Sequence, residues 1–351
     1  MAKKNDSVMK VGFDPGFGWI KCTLASQCTP VILPSVVGVG YINGSLDLAG
    51  LASIDSVELP YQLQWDGLDY LVGPNVAHHT RPIARQDFSR FIDGPELLVL
   101  AYTALAQLNV SGSQVAMVIG LPVEVLQNKS LAKEIFTALQ ARLVGQHRFT
   151  LNDKEVAFEI VKIRADVAQP LGAWLDWGLS DDGKWTRGAE ARRQPTLIID
   201  QGFNTIDVFG IEDSKPSPRY IAGDTLGMRR ASESIASTIR HRHQRQLSLH
   251  ECDSLARRYL AGDDVSIYVH GQPVDVTNIV RQSLDSLAAQ VSQFLNSILD
   301  DPDRFQIILT GGGAISLHGR LTQTYKHASM AAAPSVANAR GLAKLANSSF
   351  I

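Results

Sequence analysis

Cysteine is scarce in this chain: Cys22, Cys28 and Cys252 are the only three in 351 residues, with no Cys-x-x-Cys pair and no Cys/His spacing. Neither a disulfide framework nor a zinc site is indicated, and a reducing cytoplasm fits. Long apolar runs are missing as well. No stretch of about 18 apolar residues occurs, and the basic start Met1-Ala-Lys-Lys-Asn-Asp-Ser7 has no apolar segment behind it, which argues against membrane insertion and export. Excess charge is the third absence. A formal net charge of −2 leaves no bulk electrostatic footprint for DNA or an acidic membrane, so direct nucleic-acid binding is not expected. The basic run Arg240-His-Arg-His-Gln-Arg245 reads as a solvated helix end that compensates the helix dipole. His241 and His243 stand two apart, on different helix faces, which disfavours a metal site there.

What the chain has is apolar content, 45% hydrophobic, enough for two buried cores in a length that suits two domains. Its organising stretch is Val8 to Ala25: an apolar strand, a turn on Asp14, Pro15, Gly16 and Gly18, and a strand in which Ile20, Cys22 and Leu24 alternate with Lys21 and Thr23. Glycines there leave backbone N–H groups uncovered, so a phosphate could approach the main chain. Asp14 would suit a hydrated metal and Lys21 phosphate charge, although an ordinary hairpin with a solvated lysine explains the stretch taken alone. The plan recurs at Thr196-Leu-Ile-Ile-Asp-Gln-Gly-Phe-Asn-Thr-Ile-Asp-Val-Phe-Gly210, where the apolar strand ends at Asp200. Both hairpins read apolar strand, Asp, x, Gly, Phe, which suggests two similar half-domains facing one nucleotide. A third signal is Phe305-Gln-Ile-Ile-Leu-Thr-Gly-Gly-Gly-Ala314, a buried strand running into three glycines on which a flat ring or a ribose could lie.

Elsewhere the pattern alternates strands and helices. Residues 29–72 read as short strands broken by Gly and Pro, with a loop at 44–50; the basic loop Thr80–Arg90 carries Arg81, Arg85 and Arg90. A buried helix opens at Asp93-Gly-Pro-Glu96, and another runs from about Asn128 to Leu143. A hairpin turns at Asn152-Asp153, and Ser180–Gln194 reads as a surface loop with Trp174, Trp177 and Trp185 nearby. A long polar helix passes through Glu233, Ile235 and Ile239; a small helix and a β-turn-β follow, and a helix spans Asn278–Leu299.

Together the two hairpins and the glycine run resemble, in order and spacing, the actin, sugar kinase and heat-shock chaperone ATPase superfamily. Within it the chain is similar to the bacterial actin-like proteins of the ParM/StbA plasmid-segregation type. Thr29-Pro-Val-Ile-Leu-Pro-Ser-Val-Val37, Asp66-Gly-Leu-Asp-Tyr-Leu-Val-Gly73, Val118-Ile-Gly-Leu-Pro-Val123, Gln169-Pro-Leu-Gly-Ala173 and Val336-Ala-Asn-Ala-Arg-Gly341 each resemble a short family segment, and their joint order is hard to obtain by chance. The resemblance implies an α/β actin-like ATPase fold with two similar domains and a nucleotide cleft between them. Domain I would be residues 1–165 plus 334–351, and domain II residues 166–333 with a small insertion at about 228–276.

The resemblance also implies roles. Asp14 and Asp200 would hold magnesium through water, with Lys21 neutralising phosphate charge. The amides of Gly16, Phe17 and Gly18 would hold the β-phosphate, and those of Gly202, Phe203 and Asn204 the γ-phosphate. Gln169 would order the attacking water, since phosphoryl transfer needs alignment more than deprotonation. Gly311, Gly312 and Gly313 would lie against ribose and adenine, with Glu233 a contact from the insertion side. ATP is implied, though a glycine platform also accepts GTP. Phe17, Phe203 and Asn204 depart from the usual loops, leaving Asn204 and Thr205 as polar side chains for phosphate. The function implied is a cytoplasmic polymerising ATPase whose head-to-tail filaments move DNA through a separate DNA-binding adaptor. Two alternatives stand beside it: a small-molecule kinase with Asp200 or Asp166 as base, and a non-catalytic nucleotide-gated interaction module. A chaperone ATPase is disfavoured because no substrate-binding domain follows residue 351.

Overall fold

The computed structural model describes residues 8–26, 29–42, 58–83 and 88–350, so the 44–50 loop, Cys28 and Arg85 lie outside the described residues. The chain falls into two compact units: residues up to Thr186 together with those from Ala339 onward, and Arg187–Asn338.

In the first unit, β1 (Met9–Pro15), β2 (Trp19–Leu24) and β3 (Val31–Pro34) form an antiparallel meander, followed by β4 (Val37–Val39), β5 (Tyr61–Trp65) and β6 (Leu68–Val72). Three helices follow, α1 (Val76–His79), α2 (Phe88–Asp93) and α3 (Pro95–Gln107). Pro95 supplies the φ a first helical turn needs, and α3 is buried on nearly every face from Leu97 to Leu105, as its apolar run demands. Next come β7 (Gln114–Leu121), α4 (Val123–Gln127) and α5 (Lys129–Leu143). Asn128 caps α5 by accepting the Leu131 amide at 3.1 Å, and Ile135, Leu139 and Leu143 turn one face inward.

β8 (Gly145–Leu151) and β9 (Lys154–Ala168) turn at Asn152 and Asp153, whose φ values of 48° and 62° suit a two-residue hairpin. Burial along β9 switches from Val156, Phe158 and Ile160 to Ile163, Ala165 and Val167 where its register against β7 shifts past Val161. β9 runs straight into α6 (Gln169–Gly178). The sheet has nine strands in the order β3-β2-β1-β7-β9-β8-β5-β6-β4.

The second unit opens with α7 (Ala189–Arg193), then β10 (Thr196–Gln201), β11 (Ile206–Glu212) and β12 (Lys215–Asp224). α8 (Met228–His243), α9 (Leu249–Leu260), the hairpin β13 (Ser266–Val269) and β14 (Gln272–Asp275), and α10 (Thr277–Ile298) follow. β15 (Gln306–Thr310), α11 (Ala314–Thr324) and β16 (Ser329–Met330) complete a sheet ordered β12-β11-β10-β15-β16. Its pairings are antiparallel, antiparallel, parallel and parallel, the same sequence found along β3-β2-β1-β7-β9. The repeat read from the two hairpins is therefore a repeat of whole half-sheets.

The last helix, α12 (Ala337–Ser349), joins the first unit from Ala339 on. Leu342 and Ala346 pack on Val118 and Val167, and a Cβ at Gly12 or Gly341 would overlap the backbone of Ala339 or Gly172. Asp176 of α6, nearly buried, holds Lys344 at 2.8 Å and Arg340 at 3.3 Å.

The cut near Thr186 falls later than the expected boundary at residue 166, and the return falls at Ala339 rather than 334. Local packing gives the reason. Trp185 lies 4.8 Å from the Trp174 ring and covers Gly178, while the Thr186 amide donates to Gly178 O at 3.0 Å. The loop after α6 thus folds back on that helix.

Candidate functional site

Antiparallel register sets Asp14 of β1 directly against Lys21 of β2, so both side chains project from one face of the pair. Lys21 Nζ lies 3.2 Å from Asp14 Oδ2, and both side chains are largely buried, 14% and 4% exposed, where an ion pair is screened little by water. The turn between them is tightly built. The Gly16 amide donates to Asp14 O at 2.9 Å, Ser35 Oγ donates to Gly16 O at 2.8 Å, and the Ser35 amide donates to Gly18 O at 2.9 Å. Ser35, just after β3, fixes the loop from outside it. A Cβ on Gly16 would stand 2.5 Å from the Trp19 backbone oxygen, so the closeness of the turn's own backbone requires glycine there.

The second hairpin has the same register with different chemistry. Asp200 pairs across to Asp207, in the place that Lys21 holds in the first. Asn338 Nδ2 donates to Asp200 Oδ2 at 2.7 Å, and Thr205 Oγ1 donates to Asp207 Oδ2 at 2.9 Å. The Gly202 amide closes its turn forward on Thr205 O at 2.9 Å, whereas the Gly16 amide donates back to Asp14 O. The outer side of the loop is held by the start of α8: the Met228 amide reaches Gly202 O at 3.1 Å and the Arg229 amide Phe203 O at 2.7 Å. Side chain at Gly227 would overlap Phe203 and Asn204 backbone, so that close approach requires glycine.

The glycine run packs on the same hairpin. Gly311, at φ +89°, lies so close to Asp200 Oδ1 that a Cβ would overlap it, whereas a Cβ on Gly312 would meet nothing within 4 Å. Gly311 and Gly313 are therefore packing glycines, and Gly312 presents open backbone. The Gly313 amide donates to Gln201 O at 2.9 Å, and Gln201 Nε2 donates to Leu226 O at 2.8 Å. Gln201 Oε1 and Asn338 Oδ1 are buried and have no hydrogen-bond partner among the described residues. In a native interior such acceptors await a donor or a cation's water shell.

The remaining expected residues are placed as follows. Gln169 stands at the first position of α6, half-buried, with its Cγ against Gly120 at the end of β7. Glu233 is about half exposed and pairs with Arg229 at 2.8 Å, and Arg229 also reaches Asn204 Oδ1 at 3.5 Å. Within the second unit the structure brings together Asp200, Gly202, Thr205, Gly311 and Gly313, and links Asn204 to Glu233 through Arg229. Sequence reasoning missed Asn338, Asp207, Ser35 and Arg229. Asp207 had a signal, since it holds in the repeat the place of Lys21; Asn338 had none beyond its motif.

The sequence comparisons agree with the repeat. Residues 12–172 match the model of actin-like proteins' N-terminal domain, and residues 198–323 match the model of the archaeal actin homologue MreB-like C-terminal domain. The chain belongs to the actin-like proteins. Solved structures share its fold across 97% of the actin-like chain. An archaeal actin homolog, wholly covered, superposes with a TM-score of 0.77 at 17% identity. A 15-stranded ParM filament from Clostridium botulinum, 99% covered, gives 0.74 at 20% identity. Bacillus thuringiensis ParM with AMPPNP, 98% covered, gives 0.69 at 15% identity. No curated protein sequence matches the chain. Among the described residues no helix is long and apolar enough to cross a membrane.

Proposed function

We propose that this actin-like chain is an ATPase that polymerises head to tail with bound nucleotide and disassembles after hydrolysis, moving DNA in the cytoplasm through a separate adaptor. The observation that carries the reading is the pair of hairpins in matching register, each ending its first strand in a nearly buried aspartate followed by a glycine turn. The archaeal homolog solved with ADP and the ParM solved with AMPPNP support nucleotide binding, and the ParM filament supports self-assembly.

Asp14 and Asp200 are the proposed water-mediated magnesium ligands. Hard carboxylate oxygens suit that ion, and the unpartnered Asn338 Oδ1 beside Asp200 adds an acceptor for a coordinated water. Bound magnesium would neutralise charge developing on the transferred phosphoryl group. Lys21 compensates phosphate charge. With the Gly16 and Gly202 amides closing their turns, the neighbouring amides of Phe17 and Gly18, and of Phe203 and Asn204, are the proposed phosphate donors. Gln169 positions the attacking water, and the backbone at Gly312 accepts the nucleoside, with ATP preferred and GTP tolerated.

Right-angle light scattering with negative-stain microscopy tests the reading, comparing ATP, a slowly hydrolysed analogue, ADP and no nucleotide. Filaments are expected with ATP and should persist with the analogue. Gln169→Ala should assemble normally yet hydrolyse about 10-fold or more slowly, because only alignment of the water is lost. A chain that stays monomeric with ATP and magnesium over a wide concentration range sinks the polymer, and phosphate transfer to an added hydroxyl substrate would make it a kinase.

A further inference from the structure

Gly120, the last residue but one of β7, is buried, and its φ lies outside the left-handed region that would call for glycine. Space calls for it instead. A Cβ there would stand 3.0 Å from Gln169 Cγ, 3.4 Å from Gln169 Cα and 3.0 Å from Leu342 Cδ1. Carbon atoms in contact ordinarily keep about 3.5–4.0 Å, so the neighbours would have to give way. Strand register brings these residues together. β9 carries an extra residue against β7, pairing Arg164 with Val118 but Val167 with Gly120. Such a bulge re-aims the strand that follows it. Ile163 and Ala165 belong to the main core of the first unit, whereas Val167 joins Val118, Leu342 and Ala346. Gln169 comes two residues later, as the first residue of α6.

The rest of α6 is held against withdrawal. Pro170 fixes φ in its first turn, and a Cβ at Gly341 would overlap Gly172 O, so α6 and α12 meet backbone to backbone. Further along α6, Asp176 holds Lys344 at 2.8 Å and Arg340 at 3.3 Å. With the helix anchored there, crowding at Gly120 falls on the Gln169 side chain. We infer that Gly120 is a positioning residue for Gln169: the side chain it lacks sets where the Gln169 amide stands. Gly120 acts on the attacking water only through Gln169, and this inference rests on the role proposed above for that glutamine.

Steady-state ATP hydrolysis by Gly120→Ala tests it. The kcat should fall about 5-fold, because a small displacement of Gln169 misaligns the water, while KM for ATP stays within about 2-fold of wild type. Assembly with the slowly hydrolysed analogue should be unchanged. On the Gln169→Ala background the same substitution should cost less than about 2-fold, since the side chain it displaces is already gone. Leu342→Val removes Cδ1, so in Gly120→Ala/Leu342→Val the overlap falls on Gln169 alone. That double variant should keep the loss in kcat, and Leu342→Val by itself should turn over like wild type. Wild-type kcat in Gly120→Ala, a rise in KM that accounts for the loss, an undiminished loss on the Gln169→Ala background, or an unfolded double variant by circular dichroism overturns the inference. A wild-type chain without ATP turnover, or Gln169→Ala with full turnover, overturns the role of Gln169 and the inference with it, so the two failures are distinguishable.

Discussion

The two hairpins are built on one register and differ at one decisive position. In the first, Asp14 faces Lys21 and the pair is neutral; in the second, Asp200 faces Asp207 and two carboxylates share a face. Like charges directly opposite in a sheet are unfavourable. The second hairpin tolerates them through donors that the first does not need, Asn338 for Asp200 and Thr205 for Asp207. A duplicated backbone therefore specifies the fold, and the departure from duplication specifies the chemistry. One hairpin sets its aspartate against a lysine, and the other sets its aspartate against a second carboxylate.

The sharpest test of this contrast removes one carboxylate at a time. Asp14→Asn and Asp200→Asn should each lower magnesium-dependent ATP turnover by about 10²-fold or more, since each deletes charge where charge develops. Normal turnover in both would remove the proposed site. Next in size is Asn338→Ala, which takes a buried donor from Asp200. Urea denaturation should show a loss of about 1–3 kcal/mol, and an unchanged midpoint would mean the bond is replaced by water. Asp207→Asn relieves the opposed carboxylates while leaving an acceptor for Thr205. It should stabilise the chain by about 0.2–1 kcal/mol, and destabilisation would show that the pair is already compensated.

The smallest effect lies far from either hairpin, at His147. Its ring takes a 2.8 Å bond with Tyr102 Oη and a 2.7 Å bond with Leu143 O, and burial pushes the imidazole below its ordinary value of 6.5 against the opposing carbonyl. The unfolded chain then takes up a proton at higher pH than the folded one. The stabilisation from the neutral ring is complete above the unfolded value and is lost as pH falls from there through the lowered folded value. His147→Gln should remove that part of the acid sensitivity of the urea midpoint.

Much of this architecture was legible because its signals are local. Two strands ending in Asp-x-Gly-Phe, the proline that opens α3, the Asn128 cap and the Asn152-Asp153 turn each act within a few residues of where they are read. The features that escaped are contacts between distant segments. Ser35 closes a turn on Gly16 and Gly18 from the next strand, and Asn338 meets Asp200 across a sequence separation of 138 residues. Trp185 returned to Trp174 out of a stretch whose Asp, Gly and Lys content reads as solvent-exposed. No periodicity encodes such meetings, because tertiary packing decides them.

The way α12 completes the first unit bears on how the protein is made. Val118 of β7 and Val167 of β9 pack against Leu342 and Ala346, yet those two α12 residues are synthesised after the whole of Arg187–Asn338. The unit started first therefore keeps part of one face of its sheet uncovered until α12 has been made. A translating chain therefore completes its first unit only after the residues of its second have been made.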